Sequence, residues 1–149
     1  MKIALIRSKF NYFGGAEKFV QRALGAMLKI HIEPSLICQD WIGKSPNIEI
    51  IQLKTTKSFS RVSRAKKFSR AVRNEIGKHH FDLIQTHERI PGFDIFRAGD
   101  GVHKTWLTIR NQNAGVLKRA WTALDPFHRY QLQQEKELFE HADLKAVIC

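Results

Sequence analysis

Short apolar runs alternate with longer amphipathic stretches along this chain, and that alternation leaves few folds open. Ile3-Ala4-Leu5-Ile6 is apolar at every position, as a strand buried on both faces must be. Ala16 to Lys29 then carries Phe19, Val20, Ala23, Leu24, Met27 and Leu28 at helical spacing. Ser35 to Cys38 and Ile48 to Leu53 are strand-like, separated by a turn containing Gly43, Pro46 and Asn47. Phe59, Val62, Ala65, Phe68, Val72 and Ile76 form one face of a second helix, with basic residues opposite. Phe81 to Ile84 and Phe93 to Ala98 read as strands on either side of Pro91-Gly92. Asp125-Pro126 is a cap followed by a first-position proline, and opens a helix to about His141. Leu144 to Cys149 reads as a last strand. The order predicts an α/β fold, a mainly parallel sheet with helices on both faces and with Ile3 to Ile6 and Leu83-Ile84 as central strands. A parallel strand is normally followed by an element that covers the sheet, so the ending at Cys149 predicts a piece of something longer.

Charge narrows the partners. The 149 residues carry 25 Lys+Arg against 14 Asp+Glu, a net charge of +11, with 43% hydrophobic residues. That length suits one domain with a real core, and the hydrophobic content excludes a disordered polyelectrolyte. No apolar run approaches the roughly 20 residues that cross a bilayer, and the start lacks the apolar length and cleavage site of a signal peptide. Two cysteines, Cys38 and Cys149, make no disulfide framework and point to a reducing compartment. The expectation is a soluble, basic, cytoplasmic domain. A polyanion should be its partner: nucleic acid, an anionic membrane surface or phosphate-rich substrates. From Lys54 to Lys78 there are nine Lys/Arg and one acid, Glu75.

Several residues are candidates for chemistry. Phe13-Gly14-Gly15-Ala16-Glu17 lies between the first strand and the first helix. Glycines there let the backbone approach a ligand, and the helix start offers free N–H groups to an anion such as a pyrophosphate. A tight turn explains the pair equally well. Neither G-x-G-x-x-G nor G-x-x-x-x-G-K-[ST] is present. His87-Glu88 ends a strand, where α/β sheets hold ligands, but is not H-E-x-x-H. His79-His80 suits a helix C-terminus. Asp100 and His103 are too few ligands for a metal site. From Lys104 to Leu124, Trp106, Leu107 and Trp121 mix with Lys118 and Arg119. Such a mixture fits contact with an anionic membrane, and it also fits a helix that packs its Trp and Leu on the sheet.

Together these motifs resemble glycosyltransferase family 4, of the GT-B fold. The carriers are Lys2 to Ile6 with Gly14-Gly15-Ala16-Glu17-Lys18, and Phe81 to Ile84 ending in His87-Glu88. Ile90-Pro91-Gly92-Phe93-Asp94 and Ala98-Gly99-Asp100 are most similar to the lipopolysaccharide core glucosyltransferase branch. The resemblance implies a Rossmann-like N-terminal, acceptor-side domain over residues 1–149. The donor-binding domain, with its glutamate pair, would lie outside this chain, and the fragment alone would be inactive. It implies a retaining transfer of sugar from a nucleotide-sugar donor to a cell-surface glycan or lipid-linked acceptor, without metal or other cofactor. Gly14 and Gly15 would face the donor, with Glu17 matching the family's Gly-Gly-x-Glu. His87 and Glu88 would line the substrate side. Gly99 stands where many members have a sugar-contacting His, which leaves Asp100 as the candidate catalytic residue. His103 is either a substitute for that contact or a surface histidine. Lipid-linked acceptors would suit peripheral attachment to the inner face of the cytoplasmic membrane.

Two readings from other classes compete. One is a basic α/β module that binds nucleic acid through the Lys54 to Lys78 face, although it lacks the aromatic and zinc-finger signatures of such modules. The other is an interaction domain that has lost catalysis.

Overall fold

A computed structural model describes residues 1–11, 17–42, 48–56 and 58–149. The turn at Gly43, Pro46 and Asn47 and the glycine pair Gly14-Gly15 therefore lie outside the described residues. The order is β1 (Lys2–Ile6), β2 (Lys9–Asn11), α1 (Glu17–Lys29), β3 (Glu33–Cys38), β4 (Asp40–Ile42), β5 (Glu49–Gln52) and α2 (Arg61–Ile76). Then come β6 (Leu83–Thr86), β7 (Ile95–Arg97), α3 (His103–Gln112), α4 (Val116–Leu124), α5 (Pro126–Phe139) and β8 (Ala146–Ile148). Six strands form one sheet in the order β5-β3-β1-β6-β7-β8, every pairing parallel. The expected α/β architecture is present, with β1 and β6 at the centre.

Alternation along β1 explains the layers. Ala4 and Ile6 point to one face, where Ile37, Leu53, Phe68 and Val72 complete a core under α2. Ile3 and Leu5 point to the other, against Val20 and Leu24 of α1 and Leu36. The helices must take opposite faces. The α1 connection moves from β1 outward to β3, whereas α2 brings the chain back past β1 to β6, and right-handed crossovers in opposite directions cover opposite faces. A third cluster joins Leu138 of α5 to Phe96 and Ala98.

The helix ends follow local chemistry. Ser60 caps α2 by accepting from the Ser63 N–H at 3.0 Å, and Asp125 caps α5 by accepting from the Phe127 N–H at 2.8 Å. Because the Ser60 cap fixes the start of α2, Phe59 falls before the helix and is fully exposed, not part of its apolar face. The predicted strand Phe81 to Ile84 is β6, displaced by two residues: Leu83 to Thr86 pair with β1, while Phe81 packs at the core's rim. The short parallel pair β2–β4 and the separate helices α3 and α4 are not among the predicted elements. The strands β2 and β4 are three residues each, α3 is weakly amphipathic, and α4, though strongly amphipathic, is only nine residues long and turns its apolar face outward.

Burial predicts where stability resides. Leu24→Ala, at a side chain 1% exposed, should cost about 2–5 kcal/mol, whereas Leu117→Ala, 80% exposed on α4, should change stability by under about 0.5 kcal/mol. Urea unfolding of both variants beside the parent measures this.

Candidate active site

The strand order reverses between β1 and β6, and the two strands lead their loops apart at their C-terminal ends. Such a reversal opens the crevice in which α/β sheets bind ligands. Here the last ladder bond runs from the His87 N–H to the Ile6 carbonyl at 2.9 Å. Beyond it Glu88 spans the gap: its Oε1 accepts from the Ser8 N–H at 2.9 Å and from the Ser8 hydroxyl at 2.8 Å. Thr86 Oγ1 shapes the turn, donating to the Glu88 carbonyl and accepting from the Glu88 N–H.

A cleft of about 260 Å³ opens beside this bridge. Its walls include Ser8, Lys9, Glu88 and Arg89 from the strand ends, Arg61 and Arg64 from α2, and Phe127, Tyr130 and Gln131 from α5. Two contacts hold the α2 and α5 walls in place: Arg61 pairs with Asp125 at 2.6 Å and lies over the Phe127 ring, 4.5 Å from its centroid. Burial raises the pKa of Tyr130, aided by Glu137, so its phenol stays a neutral donor. Cationic walls with aromatic faces suit a sugar next to an anionic group.

The predicted residues separate into groups. Glu88 lines the cleft. His87 is buried beneath it, with Gln85 Nε2 2.8 Å from its Nε2. Burial, with the charges of Arg7 and Arg97, lowers the His87 pKa from 6.5 to about 4 against the opposing pull of Asp100, so the ring is neutral. Asp100 stands on the exposed turn after β7, its carboxylate 3.5 Å from the Arg7 guanidinium. That turn needs glycine next to it, because Gly101 sits at φ +73°. His103 turns its ring toward α5, stacked on Trp106 and with its Nε2 3.1 Å from His128 Nδ1. Burial, Arg89 and His128 together hold its pKa below the usual histidine value. Glu17 begins α1, and its side chain lies outside the described residues.

The membrane candidates also divide. Trp121, with Leu117 and Leu124 on the same face of α4, is exposed, and Lys118 and Arg119 are exposed beside them. Trp106 is half covered by His103 and by Arg110, whose guanidinium lies 5.0 Å from the ring centroid. Leu107 is a correction: it points inward from α3 and is buried, so it makes no surface contact. Inward packing is limited to Leu107 and Thr122, the buried residues of this stretch, and does not extend to Leu117, Trp121 or Leu124.

Sequence reasoning missed the carboxylate that organises this region. Val102, at the start of α3, has no side-chain acceptor, and Glu135 of α5 takes the capping role from a distance. Its Oε1 accepts from the His103 N–H at 2.6 Å and from Arg89 Nε at 3.0 Å, and its Oε2 accepts from the Lys104 N–H at 3.0 Å. Burial works against ionisation of Glu135, but these donors prevail and its pKa is lowered. Arg89 also donates to the Gly101 carbonyl at 2.9 Å, joining the Asp100 turn to the cleft wall. No local pattern marks Glu135, because its partners lie more than 30 residues away.

A family model for glycosyltransferase family 4 matches residues 13–149. The chain belongs to glycosyltransferase family 4. Two solved structures share its fold. WaaG, a glycosyltransferase involved in lipopolysaccharide biosynthesis, superposes with a TM-score of 0.80 at 24% identity, covering 97% of this chain and 37% of that one. Sucrose-phosphate synthase from Thermosynechococcus elongatus gives 0.61 at 18% identity, covering 96% and 41%. The family 4 chain thus spans well under half the length of either protein. The curated proteins contain no significant match.

The neutral His87 makes stability depend on pH. Its folded pKa lies below its ordinary value, so its contribution is complete above pH 6.5 and is lost as pH falls toward 4. At pH 5 the loss should be about 2 kcal/mol relative to neutral pH. His87→Gln should flatten this part of the profile, as urea unfolding at pH 7.5 and pH 5 would read out.

Proposed function

We propose that this chain is the acceptor-side domain of a retaining glycosyltransferase that moves a sugar from a nucleotide-sugar donor to a glycan or lipid-linked acceptor in cell-surface glycan synthesis. The observation that carries the reading is the basic, aromatic cleft at the β1–β6 reversal in a member of family 4. The acceptor sugar lies in that cleft against Tyr130, with Glu88 as a hydrogen-bond acceptor for its hydroxyls. Gly14 and Gly15 face the donor, and Asp100 approaches the transferred sugar from the turn after β7. A second domain holds the nucleotide, and the transfer uses no metal.

The test is transfer by the full-length gene product, with a panel of UDP-, ADP- and GDP-sugars and lipid-linked glycans. One donor should be consumed in the presence of EDTA, with its anomeric configuration kept in the product. Asp100→Asn and Gly15→Val should each lower kcat at least tenfold while the thermal midpoint stays near that of the parent. No donor consumption, or an inverted product, overturns the reading.

Attachment to the inner face of the cytoplasmic membrane belongs to the same proposal. It is supported by the exposed Leu117, Trp121 and Leu124 beside Lys118 and Arg119. No helix among the described residues is long and apolar enough to cross a membrane. Vesicles containing anionic lipid should bind the chain and neutral vesicles should not. Replacing Lys118 and Arg119 by Gln should weaken binding by about 2 kcal/mol, roughly 30-fold, at low salt, and Trp121→Ser should weaken it further. Equal binding to neutral vesicles removes this part.

A further inference from the structure

The cleft does not end at α2. A second hollow of about 330 Å³ is lined by Gln39, Thr55, Thr56, Ser58, Arg64 and Lys67, and it shares Gln39 and Arg64 with the first. The two adjoin at Gln39 and Arg64, making a two-part trough along the C-terminal edge of the sheet. Its charge is one-sided: Lys9, Arg61, Arg64, Lys67 and Arg89 face Glu88, whose Oε1 already takes both donors of Ser8. Arg61 and Arg89 are ion-paired with Asp125 and Glu135, and Lys67 donates to Thr56. The Arg64 guanidinium has neither an ion-pair nor a hydrogen-bond partner among the described residues. The lining of each hollow also includes a residue with a buried polar atom that has no hydrogen-bond partner among the described residues: Ser58 Oγ in the outer one and Gln131 Oε1 in the inner one. Buried polar atoms are rarely left unpaired, and two of them on residues lining hollows that meet at an arginine without a partner among the described residues suit a ligand with both an anion and hydroxyls.

We propose that the trough is a binding site for a phosphorylated sugar, the phosphate held by Arg64 and the Ser58 hydroxyl, the ring lying in the inner cleft with a hydroxyl donating to Gln131 Oε1. A guanidinium presents paired N–H donors that match phosphate oxygens, which a solvated lysine does not. The proposal rests on the sugar-transfer reading and extends it, by giving the acceptor a phosphate group next to the sugar that is modified.

Calorimetry on this chain tests it with mannose 6-phosphate, glucose 6-phosphate, mannose, inorganic phosphate and UDP as probes. At least one sugar phosphate should bind tenfold or more tightly than mannose and than inorganic phosphate. Arg64→Gln should weaken it at least tenfold with an unchanged thermal midpoint. Arg70→Gln, an exposed charge on α2 outside both hollows, should leave it unchanged. No binding of either sugar phosphate, inorganic phosphate binding as tightly, or equal losses in the two variants overturns the site. UDP displacing the sugar phosphate with equal affinity assigns the anion pocket to a donor and overturns the acceptor role. Binding through Arg64 without transfer by the full-length protein leaves the site standing and removes the transferase reading. Transfer to an uncharged acceptor, unaffected by Arg64→Gln, does the reverse.

Discussion

The reversal of strand order at β1 and β6 is the constraint on which the rest of this structure depends. A strand with neighbours on both sides and helices on both faces must be apolar throughout, and Ile3 to Ile6 meets that requirement. Once the chain leaves β1 toward β3 and later returns to β6, the loops at the two C-terminal ends have to separate. The backbone groups there lose their ladder partners. Glu88 compensates by bonding both donors of Ser8, so the bridge that closes the sheet is also the floor of the cleft.

Glu135 ties the remaining parts to that floor. It brings together the N-terminus of α3, Arg89 after β6 and, through Arg89, the turn that carries Asp100. A buried carboxylate is tolerated because several donors and a paired guanidinium replace its water. Removing one side of such a pair typically costs about 3–5 kcal/mol, since the other charge is left buried alone. The same group therefore holds the cleft wall and the helix that displays Trp106, so these two surfaces share a mechanical support.

The basic surplus is less diffuse than its count suggests. On α2, Arg61 pairs with Asp125, Arg73 donates to the Pro91 carbonyl, and Lys66 lies over Tyr130. These side chains dock α2 against α5 and the loop before β7, so the Lys54 to Lys78 run is not simply a solvated helix face. Charge that is spent on docking contributes little to a continuous nucleic-acid surface. Arg64 and Lys9 in the trough, Lys54 and Arg70 outside it, and Lys118 on α4 stay exposed.

Much of the fold was legible in the sequence, because it follows from periodicities that the backbone imposes locally. Continuous apolar runs marked the central strands, 3.6-residue spacing marked α1 and α2, and Asp125-Pro126 marked the start of α5. Local reasoning also placed His87-Glu88 at the ligand end of a strand. It failed where position depends on partners far along the chain. Phe59 fits the apolar stripe of α2, but the Ser60 cap starts the helix after it. Leu107 shares the composition of its exposed neighbours, and only the docking of α3 on α5 turned it inward. The cleft itself joins Ser8, Arg64, Glu88 and Tyr130 from four separate segments. The sequence by itself determined which segments form the six-stranded sheet and the helices α1, α2 and α5. The tertiary structure alone decided which polar side chains meet, because that is set by crossover direction and strand register, and neither leaves a periodic trace in the chain.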